Sequence, residues 1–112
     1  GAEHRSTLST AMQCAGSSLN AGRSAIAEAQ YRAALATQRR VLGESTAQVF
    51  RTEQMLAVTL IRRGTRGKAA EARAILDRIL ATSIRVFGPE HFETRHTMMV
   101  RETHAAALGL AP

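Results

Sequence analysis

Residues of this chain return at a fixed interval, and that return limits the possible folds more than any single segment does. Gly1, Ala15 and Gly22 come back 42 residues later as Gly43, Ala57 and Gly64. Thr65, Arg66 and Gly67 then add three residues, after which the register resumes. Gly22, Ala27, Tyr31, Leu35, Val41 and Gly43 correspond to Gly67, Ala72, Leu76, Leu80, Val86 and Gly88. The opening Gly1, Glu3, His4 and Thr7 reappear as Gly88, Glu90, His91 and Thr94. A unit of this length has room for two short amphipathic helices, which cannot bury their apolar sides alone and must stack on the next pair.

Within the units the apolar residues follow a helical period. Leu8, Ala11, Ala15 and Leu19 predict a first helix over about Ser6 to Asn20. Ser24 is placed to cap a second, which carries Ala27, Tyr31, Ala34 and Leu35 to Gly43, a residue suited to the left-handed turn that closes a helix. A third starts after Ser45, with Gln48 completing a capping box, and Phe50, Leu56, Ala57, Leu60 and Ile61 line one side. Arg63 to Gly67 read as a turn. The fourth helix has Ala72, Ile75, Leu76, Ile79, Leu80, Ile84 and Phe87 before Gly88 and Pro89 stop it. A fifth is expected from Phe92 to Leu108. Ala15 and Ala57, with Ala27 and Ala72, mark the closest helix crossings, and Tyr31 and Leu76 fill the space between layers.

Composition agrees with an all-α reading. The chain has 112 residues, enough for one domain with a modest core, and 21 of them are Ala, the strongest helix former. Hydrophobic residues make up 45%, too many for a disordered chain. No apolar run approaches the roughly 18 residues that span a bilayer, and the first 30 residues lack the pattern of a secretory signal. The single Cys14 cannot form an internal disulfide, so a reducing compartment, the cytoplasm above all, is favoured.

With Tyr31-Arg32-Ala33-Ala34-Leu35, Arg39-Arg40-Val41-Leu42-Gly43, Leu56-Ala57 with Leu60 and Gly64, Ala70-Glu71-Ala72, and Gly88-Pro89-Glu90-His91 followed by Thr94, the chain resembles a known family. These are the tetratricopeptide repeats of the 42-residue kind found in kinesin light chains and related scaffold proteins. The resemblance spans about residues 1–108. It implies antiparallel hairpins stacked as a short right-handed solenoid of about five helices, in units of about 1–42, 43–87 and a partial 88–108, with 109–112 as a tail. It also implies a non-catalytic interaction module needing no cofactor, whose first helices line a concave groove for a peptide or protein segment.

Position by position, the resemblance puts Ser9, Met12, Gln13, Gly16, Leu19 and Asn20 on that groove in the first unit. The second contributes Arg51, Gln54, Met55, Val58, Ile61 and Arg62, and the third His96, Met99, Val100, Thr103, Ala106 and Ala107. Methionines adapt to irregular apolar partners, and Arg51 and Arg62, close to three helical turns apart, would grip the carboxylates of an acidic one. The family often has Asn-Leu-Ala in the first helix, where this chain has Gln13-Cys14-Ala15, Met55-Leu56-Ala57 and Val100-Arg101-Glu102, so only Gln13 keeps an amide. The alternative is a structural scaffold fragment without a ligand of its own.

Other chemistry finds little support. The formal charge of +6 and the basic run Arg62, Arg63, Arg66 and Lys68 attract polyanions, but one Tyr, three Phe and no Trp leave no base-stacking platform, so specific nucleic-acid recognition is not expected. His4 and His91 share a repeat position and read as turn-stabilising residues, without metal-ligand spacing. Cys14 reads as a small packing residue. Phe92, Met99 and Leu108 form an apolar strip on the last helix that would join another copy or a following helix.

Overall fold

The structure, a computed structural model, describes residues 2–44 and 46–110, with side chains from Leu8 onward. Five helices follow in order: α1 (Ala2–Asn20), α2 (Ser24–Leu42), α3 (Ala47–Arg63), α4 (Arg66–Phe87) and α5 (Phe92–Thr103). No helix is long and apolar enough to cross a membrane among the described residues. Consecutive helices pack on one another, and α5 also touches α3. Side-chain bonds join α1 to α3, α3 to α5 and α2 to α4, so α1, α3 and α5 form one layer and α2 and α4 the other. The result is a slab measuring 45 × 34 × 18 Å.

The five helices are the ones the apolar period predicts, and their ends differ in instructive ways. Ser24 is the first residue of α2 and not its cap; Arg23 precedes it without a capping side chain. Helix α3 is capped by Thr46, whose Oγ1 accepts from the amide of Val49 at 3.3 Å, in place of the expected box from Ser45, which lies outside the described residues. The turn expected over residues 63–67 shrinks to Gly64 and Thr65. Thr65 caps α4, and Arg66 and Gly67 wind into its first turn, so that α4 is 22 residues long where α2 has 19. The three inserted residues thus lengthen a helix and leave the loop short.

Gly64 takes the left-handed conformation (φ 79°, ψ 5°). Gly43 does not: at φ 90° and ψ 173° it occupies a region that only glycine enters readily, and Gly88 repeats it at φ 93° and ψ 161°. Matching backbone at Gly43 and Gly88 puts the repeat on a structural footing. Helix α5 ends at Thr103 and not at Leu108, because residues 104–109 form turns that carry Leu108 into the core.

The core lies between the layers. Ala15, Ala27, Ala57 and Ala72 are fully buried, as expected of residues at close crossings, and Tyr31 and Leu76 are 1% and 0% exposed. Phe50 meets Phe87 edge to face, with ring centroids 5.9 Å apart. On the second layer Glu28 joins three helices: its carboxylate pairs with Arg32 at 3.1 Å, Lys68 at 2.8 Å and Arg63 at 3.4 Å. The hydrogen bond from Lys68, set against partial burial and helped by Arg32, holds its carboxyl below the ordinary value of 4.5.

Two measurements check this description. Leu76→Ala should lower the free energy of unfolding in urea by about 2–5 kcal/mol, since it empties a fully enclosed site. A carboxyl depressed in the folded state stabilises above its unfolded value and loses that contribution as the pH falls through its folded value. Glu28→Gln should therefore be less stable than the parent chain at neutral pH, and the gap should close progressively below 4.5.

Candidate functional site

The layer of first helices carries the groove positions, and lateral polar contacts organise it. Arg51 on α3 reaches Glu93 on α5, its Nε and Nη2 both donating to Oε1 at 2.9 and 2.5 Å. Glu93 is buried, so its charge needs such a partner. Three residues along α3, Gln54 is only 2% exposed; its Nε2 donates to Oγ1 of Thr97 at 2.6 Å. With that nitrogen donating, Oε1 accepts, and Nδ1 of His96, 2.6 Å away, carries the hydrogen. Thr97 passes its own hydrogen to the carbonyl of Glu93 at 2.9 Å. On the other side, Thr52 on α3 lies 3.5 Å from the sulfur of Met12 on α1.

A second buried acid, Glu53, accepts from Nη2 of Arg39 on α2 at 3.1 Å and pairs with Arg78 on α4. One carboxylate therefore ties three helices together beneath the groove layer. Apolar periodicity gives no notice of these contacts. For Glu93 the usable signal was its spacing of 42 positions, about one repeat, from Arg51; Glu53 has no such spacing from Arg39 or Arg78.

Most of the groove residues named from sequence fall into four groups. Leu19, at 3% exposure, belongs to the core and not to the wall. Arg51 and Gln54 are engaged between α3 and α5. Gln13, Asn20, Arg62, Met99 and Thr103 are exposed, and Met12, Met55, Val58, Ile61, His96 and Val100 are half-buried, with Met12, Met55, Val58, Ile61 and Val100 resting on the core. Met55, Val58 and Arg62 therefore offer a mixed apolar and cationic track along α3.

Cys14 differs from expectation: it is exposed, and lines a depression of about 280 Å³ with Leu8, Ala11, Gln30 and Ala33 among others, between α1 and α2. His91 does stabilise a turn. Its Nδ1 accepts from the amide of Glu93 at 3.1 Å and caps α5, while its ring stacks on Phe87 with centroids 4.6 Å apart. The side chain of His4 lies outside those described.

A family model described as tetratricopeptide repeat matches residues 7–47 and again 54–93. The chain belongs to the tetratricopeptide repeat family. Its five stacked helices and its resemblance to the kinesin-light-chain kind agree with that membership. No curated protein and no solved structure matches the chain significantly. Tetratricopeptide repeats mediate protein–protein contacts or scaffolding and are generally non-catalytic.

The two kinds of groove amide respond differently to removal. Gln54→Ala removes the donor to the Thr97 oxygen and the acceptor of the His96 ring, and should cost about 1–3 kcal/mol in chemical unfolding. Gln13→Ala, on an exposed side chain, should stay within about 0.5 kcal/mol of the parent.

Proposed function

We propose that the α1–α3–α5 face binds an extended peptide or protein segment, with Met55 and Val58 under its apolar side chains and Arg62 facing a carboxylate. The observation that carries this reading is the half-exposed pair Met55 and Val58 beside the exposed Arg62, on the first-helix layer of a tetratricopeptide repeat. Gln13 and Asn20 on α1, and Thr103 on α5, supply hydrogen-bonding groups at the margins. Met12 and Met99 extend the apolar contact to either side.

Arg51 is a weaker choice than its spacing suggested. Its guanidinium already serves a buried carboxylate, and releasing it to a ligand would leave Glu93 charged and unpaired. An acidic segment is therefore held by Arg62, which enters no ion pair among the described residues. Occupation of Arg51 and Gln54 within the fold is also the observation that favours the second reading, a scaffold whose first helices chiefly support stacking. The proposed units are about 1–42, 43–87 and a partial 88–108.

Selection from a displayed random peptide library separates the two. The binding reading expects enriched sequences with an acidic residue near an apolar pair, and at least a tenfold loss of affinity for Arg62→Glu and for Val58→Glu. A library that yields no enrichment, or selected peptides indifferent to both substitutions, supports the scaffold.

A further inference from the structure

Helix α5 follows α3 in the repeat but reverses its chemistry at the positions that matter for packing. The equivalence is read from backbone and hydrogen bonds: Gly43 and Gly88 share their dihedral angles, and Thr52 and Thr97, each buried, donate to the carbonyl four residues back. In that register Phe50 corresponds to Arg95 and Ala57 to Glu102. Phe50 and Ala57 are 1% and 0% exposed, and Phe50 packs on α4. Arg95 and Glu102 are exposed and enter no ion pair among the described residues. A helix laid on α5 as α4 lies on α3 would have to bring a partner for each of these charges, as Arg78 of α4 does for the buried Glu53 of α3.

The same side of α5 exposes two large apolar residues. Phe92 is 65% exposed and Met99 56%. With Arg95 and Glu102 they form a stripe at steps of three, four and three along α5, the spacing by which one helix seats against another. Phe92 is held in place by stacking on His96, with ring centroids 5.8 Å apart, and Gln54 fixes that imidazole in turn. Beside them lies a shallow depression of about 540 Å³, bounded by Glu90 and Arg95.

We propose that this stripe pairs with the α5 of a second copy of the chain, antiparallel and about a two-fold axis beside Met99. The charges select both occupant and direction. Arg95 and Glu102 stand seven residues apart on either side of Met99, so an antiparallel copy brings Arg95 and His96 of each chain to Glu102 of the other. A parallel copy would set Arg95 against Arg95. The two Met99 side chains then meet at the centre, and Phe92 of each chain lies toward the C-terminal end of the other's α5. Each surface is its own complement, which is the condition for a closed dimer. The contact is short, and the association is expected to be weak and concentration-dependent. This surface takes Met99 from the margin of the proposed peptide face but none of the Met55, Val58 and Arg62 track, and it stands or falls without that track.

The test is sedimentation equilibrium on the chain carrying Cys14→Ser, which removes the exposed thiol. The expected result is a two-chain mass at 100 µM and dissociation on dilution. Phe92→Glu combined with Met99→Glu should give single chains with an unchanged helical circular dichroism spectrum. Arg95→Glu alone and Glu102→Arg alone should each weaken association about tenfold, and the two together should restore it, because the exchanged charges again meet their opposites. In the same background Met99→Cys should form an interchain disulfide on mild oxidation. A single-chain mass throughout the concentration range overturns the proposal and leaves the stripe to another partner. A dimer that survives Phe92→Glu with Met99→Glu overturns it too, as does a double reversal no better than either single one.

Discussion

Two helices joined by a tight turn bury one seam, and the seam of each hairpin here is made narrow by alanine. Ala15, Ala27, Ala57 and Ala72 are fully enclosed, which brings the paired backbones close but leaves little apolar surface to hold them. Stability must then come from side chains placed between one hairpin and the next. Tyr31 from α2 and Leu76 from α4 occupy those places, with Phe50, Leu60 and Ile79, and all five are almost completely removed from water. The fold is a sum of neighbour contacts, so a change at one layer is felt first in the layers beside it.

Charge is distributed by the same logic. The chain has an excess of six positive charges, yet among the described residues the buried charged side chains are acids: Glu53 and Glu93 are 1% and 2% exposed. Glu93 is met by one arginine and Glu53 by two, whose long stems reach in from exposed or half-buried positions on neighbouring helices. That asymmetry is physical, since a guanidinium can keep part of its surface hydrated while its end touches a buried carboxylate. The acids therefore act as junctions. Glu53 gathers α2, α3 and α4, and Glu28 gathers the same three helices near the start of α2 and the end of α3. Such junctions set the angle between hairpins, which apolar contact alone leaves adjustable.

How far the chain could be read without coordinates follows from which forces are local. Hairpin boundaries were legible because Gly22, Gly43, Gly64 and Gly88 each adopt a positive φ at a helix end. The core was legible because apolar side chains at helical spacing have few alternatives to burial. Caps were harder, as Thr46 and Ser45 are adjacent candidates and a single residue of phase decides between them. The groove was only partly legible. Arg51, Gln54 and Glu93 sit on the first-helix faces that periodicity marks as polar, and only the lateral approach of α5 to α3 converts them from solvent-facing groups into an interhelix network. Local pattern also favoured a longer α5, since Ala105 to Ala107 are good helix formers. The gain from burying Leu108 outweighs that preference and bends the chain into turns.

The comparison of α3 with α5 shows why repeat position and role must be kept separate. Position in the unit fixes which way a residue faces; what stands opposite decides whether that direction is buried. Phe50 and Ala57 face α4 and are apolar, whereas Arg95 and Glu102 face the same way from α5 and are charged. Moving the other way, Gln54 is polar and buried against α5, and its counterpart Met99 is apolar and exposed. Two exchanges of opposite sense on one helix are not explained by a general drift toward a polar end surface, which would have replaced Met99 and Phe92 as well. They are what is expected of a face that keeps an apolar centre for contact and adds paired charges to choose what makes it.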